Sequence, residues 1–106
     1  MGMSALTRAQ FQDLFDVFVG DATVDPATVP ANTLVATSVT VTGAALGDIV
    51  LAGPGVSLAT VNWSAHVSSA NTVSVVIDNA SADHIDIASS TWTFVILRPK
   101  AKITAN

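Results

Sequence analysis

The sequence predicts a mainly β fold: an antiparallel β-sandwich of about seven or eight strands, preceded by an amphipathic helix and an extended arm. Three observations carry this reading. From residue 33 onward, apolar residues recur with period two rather than 3.6. Clusters of turn-forming residues interrupt that pattern roughly every 8–12 residues. Val and Thr dominate the alternating runs, as a pleated, half-buried surface favours. The chain divides into a helix and proline-containing arm over 1–32, a sandwich domain over 33–99 and a tail over 100–106.

Residues 5–19 read as the helix. Leu6, Phe11, Leu14, Phe15 and Phe18 share one stripe at helical spacing, Thr7 with Gln10 forms a capping box, and Gly20 stands where a C′ glycine would end the helix. Residues 21–32 follow as a connector, because Pro26 and Pro30 fix φ and bias their predecessors toward extended backbone.

Strands are expected at 33–42, 48–52, 60–68, 72–78, around Ile85 and Ile87, and at 91–98, with GAALG and GPG as turns. The inward set is Val39, Val41, Ile49, Leu51, Val61, Trp63, Val67, Val73, Val75, Ile77, Ile85, Ile87, Trp92, Phe94 and Ile96. The last strand breaks the alternation, since Val95 and Leu97 occupy its second face. Apolar side chains on both faces imply that the outer face is covered too. The cover is expected to be the N-terminal helix or another subunit.

Composition narrows the function. Half of the residues are hydrophobic and 11% are charged, and eight Asp against four Lys and Arg leave a net charge of −4. Phosphate backbones are repelled by that balance, so nucleic acid is not an expected partner. The chain has no Cys, which removes disulfides, thiolate metal sites and cysteine nucleophiles. No apolar run approaches the ~18 residues that cross a bilayer, and MGMSALTRAQ lacks the pattern of a signal peptide, so no membrane partner is expected. A 106-residue chain buries about 65% of its unfolded surface. With few charges to keep it apart, it is expected to complete its stability against another copy, as a homodimer or homotrimer.

Catalytic patterns are lacking. Asp78, Asp83, His84 and Asp86 form the densest polar cluster, but their spacing fits no EF-hand loop and suits a solvated turn. His66 falls on a polar strand face between Ser64 and Ser68. No serine sits in a nucleophile elbow, and the glycines form no phosphate loop. Trp63 and Trp92 could stack on sugars, but their phase points both inward. No enzyme activity, cofactor or metal is expected.

The run from Val39 to Asp48 reads V-T-V-T-G-A-A-L-G-D, Val67 to Val75 reads V-S-S-A-N-T-V-S-V, and Ala88 to Pro99 closes with A-S-S-T-W and R-P. Together these segments resemble a small β-domain of tailed-bacteriophage virion proteins, over roughly residues 33–99. Its format is most like that of capsid decoration (cement) proteins. The resemblance implies a structural protein on the outer capsid surface of the virion. It would bind the major capsid protein at inter-subunit junctions and stabilise the head. The alternative it leaves open is a tail- or fibre-associated module with a carbohydrate-binding or adhesin role.

The N-terminal segment lies outside the resemblance. Its three Phe gain little by folding back on a closed sandwich, so Phe11, Leu14, Phe15 and Phe18 are expected at an interface, with Val95 and Leu97 as further contact residues. On this reading residues 33–99 fold without residues 1–32.

Overall fold

A computed structural model of the chain describes residues 8–58 and 60–100. Helix α1 (Arg8–Leu14) is followed by six strands among the described residues: β1 (Phe15–Val24), β2 (Thr33–Thr40), β3 (Ile49–Gly53), β4 (Asn62–Ser69), β5 (Thr72–Asn79) and β6 (Ser90–Pro99). They form two antiparallel three-stranded sheets, ordered β1-β6-β3 and β2-β5-β4. Leu6, Thr7 and the tail beyond Lys100 lie outside the described residues.

One core joins the sheets. The central strands supply most of it: Trp92, Phe94 and Ile96 from β6, and Val73, Val75 and Ile77 from β5, all essentially fully buried. Trp92 lies edge-on to Trp63, ring centroids 5.4 Å apart, and stacks with Phe94 at 6.3 Å. Such aromatic pairs add about 0.5–1.5 kcal/mol beyond the burial of their area. In β2, β4, β5 and β6 the inward residues are the ones the period-two pattern selects.

Three expectations are corrected. First, the helix ends at Leu14, and Phe15–Val24 is an edge strand paired with β6 along its full length, from Phe15↔Pro99 to Val24↔Ser90. The segment F-D-V-F-V fits either period over so short a span, and a ten-residue ladder outweighs the stripe. In a strand, Phe15 and Phe18 point to opposite faces. Gly20 ends no helix; it faces Phe94 in mid-strand. The arm is thereby reduced to residues 25–32, and the first 32 residues contribute a whole strand.

Second, six strands are found among the described residues, and the expected seven or eight are not confirmed. Ile85 makes only an isolated bridge with Val29, through N–H···O bonds of 2.8 and 2.9 Å, and Ile87 is buried without joining a strand.

Third, Ile49 and Leu51 face outward, 45% and 55% exposed, while Val50 and Ala52 turn to the core. A five-residue strand of consecutive apolar residues carries no internal phase; pairing with Ile96 and Phe94 sets it. Trp63 keeps its inward phase but sits on an edge strand, and 36% of it is exposed.

Removing residues 1–32 should therefore remove β1, uncover Trp92 and Phe94, and abolish the cooperative unfolding transition read by urea titration. Trp92→Ala in the full chain should cost about 3–5 kcal/mol in the same titration.

Candidate functional site

The outer face of the β1-β6-β3 sheet is the unusual surface of this molecule. Registers across the sheet align Val17, Leu97 and Ile49 in one row and Val19, Val95 and Leu51 in the next. Phe15 and Pro99 begin a third. Val19 is 68% exposed, and Val17, Ile49 and Leu51 are exposed as well, whereas Val95 and Leu97 on the central strand are half-buried by their neighbours. No charged side chain interrupts these rows. Beyond them the same face turns polar, with Asp21 and Thr93, then Thr23 and Thr91.

The predicted interface residues fall into two groups. Phe15, Val95 and Leu97 share the apolar face, and Phe11 on α1 packs against Phe15 at 5.1 Å between ring centroids. Leu14 is exposed at the end of α1. Phe18 lies on the opposite side of β1, where the Arg98 guanidinium carbon stands 5.1 Å from its ring centroid. Val17, Val19, Ile49 and Leu51 were not among the sequence candidates. Their presence follows from the strand register, which periodicity within a single segment does not contain.

At the same end of the sheet, a clasp fixes the turn before β3. Arg98 donates from Nε to Asp48 Oδ1 at 2.9 Å and from Nη2 to Asp48 Oδ2 at 2.8 Å, and Nη2 also reaches the Gly43 carbonyl at 2.8 Å. Asp48 Oδ2 accepts the Ala45 N–H at 2.9 Å as well. Asn71 closes the other side: its Oδ1 accepts the Gly43 N–H at 2.8 Å, and its own N–H donates to the Ala44 carbonyl at 2.8 Å. Gly43 and Gly47 hold φ of 96° and 93°, a region that other residues occupy only under strain. Gly43, Gly47, Asp48, Asn71 and Arg98 thus build one structural unit.

The Asp48 side chain is only 4% exposed. The Arg98 hydrogen bonds hold its carboxyl below the ordinary carboxylate value; burial opposes them, and the Ala45 N–H adds to them.

The remaining polar candidates are structural or solvated. Asp78, Asp83, His84, Asp86 and His66 are exposed. The buried member of that region is Asn79, which bonds the carbonyls of Val29, Pro30 and Asp83 through Nδ2 at 2.8–3.2 Å. It also accepts from the N–H and Oγ of Ser81, and so anchors the connector to β5. Among the described residues no group of three or more His or acidic side chains could hold a metal ion. A shallow depression lined by Leu34, Asn62, Trp63, Ser64, Val76 and Asp78 lies at the β2-β5-β4 sheet.

No family model matches the chain, and no curated protein or solved structure matches it.

The clasp carries a pH signature. A carboxyl whose folded pKa is depressed contributes stability that is fully present above its unfolded value, ordinarily 3.8, and lost as pH falls through the folded value. Asp48→Asn should lower the unfolding free energy at neutral pH. The gap between variant and parent should narrow when urea titrations are repeated at about pH 3.

Proposed function

We propose that this chain is a decoration protein of a tailed-bacteriophage virion, seated on the outer capsid surface through the apolar face of the β1-β6-β3 sheet. The observation that carries the reading is that face, two complete uncharged rows across three strands. Contiguous exposed apolar surface of this kind marks interaction sites in soluble proteins. The resemblance of residues 33–99 to phage virion β-domains points to the class of partner, the major capsid protein.

Charge distribution supports the same orientation. Asp25, Asp78, Asp83 and Asp86 lie toward the end of the molecule where β1 and β5 finish and β6 begins, away from the apolar rows. Asp13 and Asp16 lie at the same end as those rows, Asp16 on the opposite face of β1 beside Lys100. Docking by the apolar face keeps the first four carboxylates in water and their desolvation cost out of the interface. The mechanism is cross-bridging: many weak contacts, repeated over a symmetric shell, hold neighbouring capsid subunits together. No chemical reaction takes part.

The competing reading, a tail or fibre module that grips sugars, draws on one feature. Trp63 is partly exposed beside Asn62 and Asp78, around the depression described above.

Stoichiometry separates the two. In purified virions a decoration protein should be present in a number on the order of hundreds of copies. A ratio to the major capsid protein far below about one in ten, read by quantitative gel, would reject the capsid reading in favour of the tail. The face itself is tested by Val17→Lys combined with Leu51→Lys. Both sites are exposed, so stability should change by about 0.5 kcal/mol or less per site. Binding to capsids stripped of the protein should weaken by about tenfold or more.

A further inference from the structure

Among the described residues one edge of β1 has no strand partner, and we infer that it pairs with β1 of a second copy of this chain. The inference is independent of the virion reading, because it rests on the edge alone.

Exposed strand edges are templates for further pairing, and proteins usually guard them. Three of the four edges here are guarded or carry little apolar surface. Strand β3 has five residues and runs into Pro54, and β4 carries a bulge between Val67 and Ser69. Strand β2 is mostly Thr, Ser and Ala, with Leu34 as its one large exposed apolar residue. Strand β1 is ten residues long, contains no Pro or Lys, and exposes Val17, Phe18 and Val19.

Its two carboxylates do not guard it. Asp16 Oδ1 lies 3.8 Å from the Lys100 ammonium, and Asp21 Oδ1 accepts from Thr93 Oγ1 at 3.3 Å; both are turned toward β6 and its C-terminal continuation.

The hydrogen-bond phase of the edge follows from the ladder. The Lys100 N–H donates to the Leu14 carbonyl at 2.8 Å. Antiparallel alternation then directs the even-numbered residues of β1 toward β6, and turns the N–H and C=O of Val17, Val19 and Asp21 to the free side. A two-fold axis through Val19 brings these groups into register with those of a second copy. Val19 then faces its own counterpart, and Val17 faces Asp21 of the second copy.

On the inner side of the same register, each Phe18 stands opposite Gly20 of the other copy, in the closer, non-hydrogen-bonded type of pair. No Asp meets an Asp. The register one step either way sets Gly20 against Gly20, or Asp16 against Gly20. On the outer side, the row Leu51–Val95–Val19 continues into its copy, giving one apolar row across six strands.

The test uses the full chain. Sedimentation equilibrium at micromolar concentration should give twice the 10.8 kDa chain mass. Val19→Lys, which sets like charges face to face across the axis, should weaken the dimer by about tenfold or more. Leu51→Lys, on the same face but the far strand, should leave the dimer intact. Because the chain lacks cysteine, Val19→Cys also reports the register. The paired Cα atoms would stand about 5.5 Å apart, within disulfide reach, so mild oxidation should give a covalent dimer on a non-reducing gel, and Leu51→Cys should not. A monomer, a trimer, or a dimer lost through Leu51→Lys but kept in Val19→Lys would overturn the proposal. So would failure of Val19→Cys to cross-link in a chain that still sediments as a dimer.

Discussion

Strand β6 is the central strand of its sheet, as β5 is of the other. Of the two, β6 alone sets a run of large apolar side chains on both faces, and the exposed surface of the molecule follows from it. It pairs on both edges, with β1 and β3. Its inner face delivers Trp92, Phe94 and Ile96 to the core, where fully burying each such side chain is worth about 1.5–3 kcal/mol. Its outer face carries Val95 and Leu97, which period-two logic assigns to solvent. A strand apolar on both faces is usual where helices cover a sheet. Here α1 has seven residues and reaches the first residue of β1 through Phe11, and the rows of Val17, Val19, Ile49 and Leu51 remain exposed. The same composition that makes β6 a good centre for the core also leaves an exposed apolar surface behind it.

Position along β6 decides what each end of the molecule does. At its C-terminal end Arg98 leaves the apolar series and takes up Asp48, with the Phe18 ring beneath its guanidinium. This ties the turn before β3 to β6 and so fixes the outward phase of Ile49 and Leu51. The clasp is therefore linked to the surface, since the glycines and the ion pair position the strand that completes both apolar rows.

How far the sequence revealed this depended on whether a segment carried its own phase. Residues 33–40, 62–69 and 72–79 carry a period of two, and in 90–99 Trp92, Phe94 and Ile96 keep it on one face, so these inward faces were legible one strand at a time. Val95 and Leu97 stood out because they violate that alternation. Residues 15–19 satisfy both helical and strand spacing, and the choice is made by a partner strand at the far end of the chain. Residues 49–52 are all apolar, so their phase exists only in the register with β6. The candidate surface was accordingly legible at its centre, in β6, and hidden at its margins, in β1 and β3. Likewise Asp48 and Arg98 are fifty positions apart, and nothing local in either segment announces their pairing.

Topology explains why β1 is the strand left with an open edge. The β4–β5 pair is the one hairpin among the described strands, turning through Asn71 at φ 61°. Every other pairing joins strands distant in sequence, and the most distant of these is β1 with β6. Loop closure adds only slowly to the cost of so long a connection, by about 0.6 kcal/mol per doubling. Long-range pairing does slow folding, however, and while β1 is unpaired the apolar edge of β6 is open to other chains. A long β1, with ten paired positions and side chains that favour strand, closes that edge decisively. Yet the residues that make β1 a strong partner for β6 on one side are the same residues whose backbone and side chains face outward on the other. Guarding the outer edge with Lys or Pro would weaken the strand on which closure of the sheet depends. An edge without Lys or Pro is the structural consequence of sealing this sheet with β1.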